Sequence, residues 1–455
     1  MCSSGPRPLM AKPDVVAAVA SAPGRAAIGI VRLSGPLLNS FMHALLAREL
    51  PPRRAVLSDF LDHDGTVLDT GIAIFFPAPH SYTGEDVLEL QGHGGPAVLQ
   101  LVLKRCLELG ARLAEPGEFS RRAFLNDKLD LAQAESVADL IDASSEAAAR
   151  AATRSLKGEF SRQIDALVAE LIDLRVLVEA CIDFPDEDLE FLEAHGVQQR
   201  LRSLRERIGE IVNIGTSGKL LRDGIKVVLV GRPNVGKSSL LNRLAGEELA
   251  IVTDVPGTTR DTLRTELVLS GVPIHVVDTA GLREAQDLVE QLGIERTWNA
   301  ARDADVLIVI VDVRQGMTDE DNDIVGRLPP AIPRIVVANK IDLMDLVPAS
   351  VEATFDGQLW VSAKTGEGID LLRIALLNAA GWVPQAEPVF LARTRHLEGL
   401  AKAQSHVVFA EGRLAQLELM AEELKLAQLA LSELTGEFTT EALLGAIFSR
   451  FCIGK

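Results

Sequence analysis

The chain is poor in cysteine. Cys2, Cys106, Cys181 and Cys452 are the four among 455 residues, and no two of them form a C-x-x-C pair. That spacing argues against a disulfide framework or a cysteine zinc site and suits a reducing, cytoplasmic setting. No apolar run reaches the ~18 residues that a membrane span requires. The start, Met1-Cys-Ser-Ser4, lacks a basic stretch followed by an apolar core, so no secretory signal is expected there. The last four residues, Cys452-Ile-Gly-Lys455, stand where a prenylation box would, but Gly454 and Lys455 suit one poorly. Positive charge is also short: 46 Lys and Arg face 64 Asp and Glu, a net charge of −18. Residues 1–128 hold 13 groups of each sign, so the whole excess lies in 129–455. A field this acidic does not gather nucleic acid, and any RNA contact has to be local. The run Arg200, Arg202, Arg205, Arg207 reads as a solvated helix face.

Against these absences stands one dense stretch, Gly231-Arg-Pro-Asn-Val-Gly-Lys-Ser238. It follows the apolar run Lys226–Val230, which reads as a buried strand. It opens the helically spaced Ser239-Leu-Leu-Asn-Arg-Leu244. Glycines let backbone N–H groups turn around a phosphate chain, and a helix N-terminus adds partial positive charge. In such a loop Lys237 reaches the β- and γ-phosphates and the Ser238 hydroxyl ligates Mg²⁺. Three more motifs follow in order, each after an expected strand. Asp278-Thr279-Ala280-Gly281 places a carboxylate beside Mg²⁺. Asn339-Lys340-Ile-Asp342 places Asp342 to accept from the N1–H and 2-amino group of guanine, a pair adenine does not offer. Ser362-Ala363-Lys364 closes over the base. Together they specify a guanine-nucleotide domain. Between the first helix and the second strand, Thr253-Asp254-Val255-Pro256-Gly257-Thr258-Thr259-Arg260-Asp261 is the first switch, with Thr259 as a Mg²⁺ ligand. Leu282 stands where small signalling GTPases carry the glutamine that orients the attacking water. Another group must therefore position that water. Asn234 offers a carbonyl oxygen beside the phosphates, and with switch carbonyls it can hold K⁺ in place of an arginine finger.

The chain divides into an α+β N-terminal domain, a discontinuous helical bundle and an inserted α/β P-loop domain of Ras-like type. The expected limits are 1–128, 129–218 for the first helical part, 219–384 for the nucleotide domain, and 385–455 for the second helical part. In the N-terminal domain strands are expected at Val15–Val19, Ala27–Leu33, Ala73–Phe76 and Asp86–Leu90. Helices are expected at Leu37–Leu46 and Pro96–Leu109. Residues 215–218 read as a helix breaker after Gly196–Ile214. Cys452 is expected to be a small residue on an apolar final helix near Thr440–Phe451, with a nucleophilic role as the alternative. His93 reads as a turn residue.

These residues closely resemble the MnmE (TrmE) family of tRNA modification GTPases over essentially all of 13–455. The resemblance rests on Ile30-Val-Arg-Leu-Ser-Gly35, the Tyr82–Gly95 string, Glu115-Pro-Gly-Glu-Phe-Ser120 and Ala123–Asp130. It extends through the nucleotide motifs to the terminal Phe451-Cys-Ile-Gly-Lys455. It implies a homodimer joined through the N-terminal domain. It implies work with the FAD protein MnmG to place an aminomethyl or carboxymethylaminomethyl group on C5 of the tRNA wobble uridine. The one-carbon unit would come from a tetrahydrofolate derivative, 5-formyl or 5,10-methylene. GTP hydrolysis would accompany K⁺-dependent pairing of nucleotide domains. By the resemblance Asn234, Thr253, Val255 and Thr258 surround K⁺, and Ser238 and Thr259 bind Mg²⁺. The loop residues Asn234, Val235, Gly236, Lys237, Ser238 and Ser239 take GTP together with the switch and base motifs, and Glu290 orients the water. Arg32, Glu89, Lys128 and Lys455 form the folate site, Glu89 on the pterin donors and the three cations on the folate carboxylates. Pro256 departs from the family's more frequent Ala.

The competing reading is a regulatory GTPase switch in ribosome or RNA assembly. Such proteins usually carry a basic RNA-binding module, and none is apparent here.

Overall fold

The computed structural model describes residues 14–183, 195–246, 264–278, 299–344, 357–382, 390–437, 440–449 and 451–454. They fall into two compact units, one of 1–138 with 432–455 and one of 139–431.

The first unit is built on a six-stranded sheet. Its strands are β1 (Val16–Val19), β2 (Ile28–Gly35), β3 (Val56–Leu61), β4 (Val67–Phe76), β5 (Asp86–His93) and β6 (Arg112–Leu113). The order is β3-β4-β5-β2-β1-β6, antiparallel throughout except for the β1–β6 pair. One face alternates Val31, Leu33, Leu88, Leu90 and Ala73 inward. It packs on α1 (Asn39–Leu46) and α2 (Pro96–Glu108), whose Phe41, Leu45, Leu99 and Val102 complete that core. On the other face Val16, Ala18 and Phe119 form a second cluster with Ala114. Phe119 lies on α3 (Glu118–Leu125).

The C-terminal segment belongs to this unit. The last helix, spanning Glu441–Phe448, buries Ile447 and Phe448 with Phe451 against Leu131 and Ala134. Gly117, at φ +66°, begins α3 directly beneath them: a Cβ there would lie 2.8 Å from the Phe448 carbonyl oxygen. Ile453 bridges to Pro116, and Gly454 has φ +99° with Val19 O only 2.4 Å from where its Cβ would be. The C-terminal part expected as one helical piece, 385–455, is thus shared between the two units. Cys452 is exposed and lies beyond the final helix, so it is not the buried helical residue that its apolar neighbours suggested.

The second unit combines helices with a second sheet. α4 (Leu131–Ile141) leads to α5 (Glu146–Leu156), α6 (Glu159–Asp183) and α7 (Val197–Asp223). Buried positions on α6 run Phe160, Ile164, Leu167, Leu171, Leu174, Val178, Cys181, alternating four and three, which lines one face of a helix. α7 does not break at 215–218. Gly215 and Gly218 sit inside it and let the chain at 390–392 approach: a Cβ on Gly218 would lie 2.3 Å from Phe390 O. That segment opens the helix over Thr394–Glu411, which packs along α7 through Arg205–Glu411 at 2.7 Å. Helical segments from before and after the nucleotide motifs therefore pack on each other.

The nucleotide sheet follows α7 after Gly224. It comprises β7 (Ile225–Val230), β8 (Arg264–Leu269), β9 (Val272–Asp278), β10 (Val306–Asp312), β11 (Arg334–Asn339) and β12 (Leu359–Val361). The order is β12-β11-β10-β7-β9-β8, all parallel except β8 against β9. β7 and β10 lie centrally and are almost wholly buried, hence their Val- and Ile-rich composition. Helix and sheet are also tied side chain to backbone. Ser145 caps α5 by accepting from Ala148 N at 3.1 Å and donates to Gly271 O in the β8–β9 turn at 2.6 Å. Asp139 accepts from Arg222 Nε at 2.8 Å and from Arg393 Nη2 at 2.6 Å, where the chain enters and leaves the sheet.

Candidate functional site

The phosphate loop leaves the end of β7 in a conformation that the sequence makes possible. Gly231 has φ +155°, and a Cβ there would lie 2.4 Å from Ile310 O on β10. Asn234 takes the left-handed region at φ 64°, and Gly236 follows at φ 101°. Gly236 caps the next helix, α8, Lys237–Ala245, whose first N–H groups face the loop. Lys237 is buried, and its ammonium donates to Gly231 O at 2.8 Å and Arg232 O at 3.0 Å. The amine thus spans the loop's own backbone, where β- and γ-phosphate oxygens would sit. Val235 is buried, while Ser238 and Ser239 lie exposed in the first turn of α8.

The base motifs are joined to that loop by single side chains. Asn339 is 1 % exposed. Its Nδ2 donates to Val235 O at 2.9 Å, and its Oδ1 accepts from Ala363 N at 3.0 Å. Lys340, at φ 73°, donates from Nζ to Asn234 O at 2.6 Å and to Asp312 Oδ2 at 2.9 Å. Asp342 accepts from Ser362 Oγ at 2.7 Å, which fixes the carboxylate plane, and Ser362 Oγ in turn accepts from Thr365 N at 3.1 Å. Arg243 of α8 donates to Ala363 O at 3.2 Å and also to Lys364 O, holding the base loop from beneath.

Asp312 and Arg243 were not among the residues expected. Asp312 closes the run Val306-Leu-Ile-Val-Ile-Val-Asp312, and an acid at the end of a buried strand is the signal that would have found it. Arg314 hydrogen bonding drives its carboxyl well below the usual range against the cost of burial, and Lys340 adds to the effect. It stays ionised and holds Lys340 against the loop.

Lys340 donates to the main-chain oxygen of Asn234, and the side-chain Oδ1 is a second oxygen that this residue can offer a cation. Asn234 is exposed and stands in the loop next to Val235, which fits an oxygen ligand for K⁺. The Ser238 hydroxyl, at the start of a nine-residue helix beside Lys237, is a hard oxygen donor of the kind Mg²⁺ takes. Thr253, Asp254, Val255, Pro256, Gly257, Thr258, Thr259, Thr279, Ala280, Gly281, Glu290 and Lys455 lie outside the described residues. Asp278 ends β9 and so stands at the expected edge of the sheet.

The first unit holds the other expected set. Arg32 on β2 and Glu89 on β5 are directly opposite in the antiparallel register. Arg32 Nε and Nη2 both reach Glu89 Oε1 at 2.9 Å. Gln91 Nε2 donates to Oε2 at 3.2 Å. The guanidinium carbon lies 5.8 Å from the Tyr82 ring centroid and 5.6 Å from that of Phe119. Arg32 is thus engaged by Glu89 through two of its nitrogens. A carboxylate held by a cation between two aromatic rings suits a flat heterocycle with N–H donors. Lys128 is exposed, and its stem borders Gly84: a Cβ there would lie 3.2 Å from Lys128 Cγ. His93 pairs with Asp69 at 2.7 Å and is the last residue of β5, opposite Ile28, so it is a strand-end residue and not the turn residue expected.

Comparison with known proteins agrees with both halves. Residues 15–128 match the family described as GTP-binding protein TrmE N-terminus, and residues 131–452 match the MnmE helical domain. The tRNA modification GTPase MnmE of Thiobacillus denitrificans is 58 % identical over 448 residues, covering 98 % of this chain and 99 % of that protein. The protein of the same name from Chromobacterium violaceum is 56 % identical over 444 residues, covering 97 % and 99 %. Among solved structures, Aquifex aeolicus Era bound to GDP and AlF4⁻ is 28 % identical, covering 40 % of this chain and 66 % of that one, with a TM-score of 0.29. The chain belongs to the MnmE/TrmE family of tRNA modification GTPases.

Proposed function

We propose that this chain is a K⁺-dependent GTP hydrolase that acts with MnmG to form 5-carboxymethylaminomethyl or 5-aminomethyl uridine at the tRNA wobble position, using the one-carbon unit of a tetrahydrofolate. The observation that carries the reading is the presence of two built sites in one chain of this family. One is a phosphate loop tied to base-reading loops through Asn339 and Lys340, and the other is the Arg32–Glu89 pair between aromatic rings.

In this reading Asp342 accepts from guanine, and Ser362 and Asn339 hold it and the base loop in place. Backbone N–H groups of the loop and Lys237 neutralise the β- and γ-phosphates as negative charge shifts toward the leaving oxygen. Mg²⁺ on Ser238 and Thr259 supplies charge neutralisation when bound, and K⁺ on Asn234, Thr253, Val255 and Thr258 supplies it where an arginine finger would. Glu290 orients the attacking water, since Leu282 has no group to do so. Glu89 fixes the pterin, while Lys128 and Lys455 serve the distal carboxylates. The working divisions are an N-terminal folate-binding and dimerisation domain, 1–128, helical parts at 129–218 and 385–455, and the nucleotide domain at 219–384. The protein works in the cytoplasm as a homodimer and acts on tRNA. No described helix is long and apolar enough to cross a membrane.

GTP turnover in K⁺ and in Na⁺ at equal ionic strength tests the mechanism. A group in the finger's place is worth about 10³-fold or more. A loss of at least roughly tenfold is expected in Na⁺, and Asn234→Ala should fall to the same level in K⁺. Equal rates in the two cations would remove K⁺ from the mechanism. The biological assignment has its own test. A deletion strain should lack C5-modified wobble uridine, and unchanged tRNA nucleosides would defeat the assignment.

A further inference from the structure

The segment Ser81-Tyr-Thr-Gly-Glu85 crosses the face of the sheet that carries Arg32 and Glu89. Ser34 lies two residues beyond Arg32 on β2 and so shares its face. Its hydroxyl donates to Glu85 Oε2 at 2.8 Å and therefore accepts from the Thr83 hydroxyl at 2.7 Å. Asn126 donates to Thr83 O at 2.7 Å, and the Tyr82 hydroxyl meets Ser120 Oγ at 2.8 Å. These bonds place the Tyr82 ring beside the Arg32 guanidinium.

The strongest tie on the segment is ionic. Arg122 of α3 is 13 % exposed and uses all three nitrogens. Nη1 donates to Glu85 Oε2 at 3.0 Å and to Asp14 O at 3.0 Å. Nη2 donates to Asp14 Oδ1 at 2.7 Å and to Glu118 Oε1 at 2.8 Å, and Nε donates to Glu118 Oε1 at 3.3 Å. Arg112 pairs with Asp14 and Glu118 as well, at 2.8 Å and 2.7 Å, but no bond joins it to Glu85. Three carboxylates therefore share two guanidinium groups, and Arg122 alone of the two reaches the segment. Burial works against the charge on Glu118, yet Arg112 and Arg122 hold its pKa below the ordinary range. Loss of Arg122 leaves the Asp14, Glu85 and Glu118 carboxyl groups around one guanidinium. Of the three carboxylates, Glu85 is the one on the segment, three residues from Tyr82, so the loss of its cation acts on that segment directly.

We infer that Arg122 is a positioning residue for the pteridine ligand: through Glu85 it sets the place of Tyr82 over the Arg32–Glu89 pair, and so the width of the slot a flat heterocycle enters. This rests on the folate reading above. It adds two residues, Glu85 and Arg122, whose roles are to hold a wall of that site, and one ring, Tyr82, that forms the wall.

The test uses the full chain and 5-formyltetrahydrofolate as the probe. Tyr82 is the chain's one tyrosine, so 3-fluorotyrosine labelling gives a single ¹⁹F resonance that reports its surroundings. Arg122→Ala would leave Glu118 short of a buried partner, so the variants used are Arg122→Lys and Glu85→Gln, which keep the cluster nearly balanced. Both variants are expected to shift the ¹⁹F resonance and to weaken calorimetric folate binding by roughly tenfold, the low end of what one charge-assisted hydrogen bond contributes. Far-UV circular dichroism and thermal melting of the same preparations should match the wild type, which a loss of folding in the first unit, where both residues lie, would not allow. If the wild type binds folate and both variants bind equally well, or if the resonance does not move, Arg122 is not a positioning residue. If the wild type binds no folate, the folate reading itself fails and takes this proposal with it.

Discussion

Asp342→Asn should lower GTP affinity by about 10³-fold and let xanthosine triphosphate take its place. The carboxylate offers guanine two acceptors, one for N1–H and one for the 2-amino group. The amide keeps one acceptor and sets an N–H₂ against the 2-amino donor. Losing one charge-assisted bond costs about 1.5–3 kcal/mol. The desolvated donor–donor contact adds a similar amount, and each 1.4 kcal/mol is about a factor of ten. Xanthine carries an oxygen at that carbon and accepts from the amide. The geometry gives the swap its direction. Ser362 Oγ donates to Asp342 Oδ1 at 2.7 Å, so the amide oxygen is drawn to the same position and its nitrogen is turned to the remaining side. Competition of xanthosine and guanosine triphosphates against a fluorescent guanine nucleotide measures both effects. If the variant bound both nucleotides as the wild type does, Asp342 would not be reading the base.

The parts of this site that could be read from the sequence are those whose chemistry is local. Gly231, Gly236 and Lys237 stand within one loop, so spacing alone announces a phosphate cradle. Asn339 and Asp342 flank one turn and carry the base reading in the same way. What went unread depends on partners distant in the chain. Asp312 has no motif around it, and an apolar run such as Val306–Asp312 reads as strand or buried helix alike until its neighbours are known. Gly215 and Gly218 look like a breaker because nothing near them shows that Phe390 needs the space. The tie between Arg122 and Glu85 joins residues 37 apart, and Gly454 makes sense only against Val19 at the other end of the chain. Arg32 and Glu89 were united by family resemblance, and only the sheet register shows that they bond to each other. A sequence motif names donors and acceptors but not which of them satisfy one another, and that pairing decides what remains for a ligand.

Gly236→Ala is expected to abolish nucleotide binding, lowering affinity by more than about 10²-fold, although it adds a single methyl group. Two costs combine. At φ 101° an L-residue is strained, by about 1–2 kcal/mol. The new Cβ would also lie 2.3 Å from Asn339 Nδ2, well inside contact distance. A flexible side-chain end would yield cheaply, but this one cannot. Asn339 is buried and bonded at both amide atoms, to Val235 O at 2.9 Å and from Ala363 N at 3.0 Å. Moving it unties the phosphate loop from the base loop and leaves buried polar groups unpaired, at about 1–3 kcal/mol each. A double-mutant cycle separates this account from simple backbone strain. Asn339→Ala alone should weaken binding, and Gly236→Ala should cost markedly less in that background, because the methyl group then has room. Nucleotide titration of the four proteins, with thermal melting to show that each is folded, reads the coupling directly. If the two changes were additive, the clash with Asn339 would play no part, and the glycine would be required for its backbone angle alone.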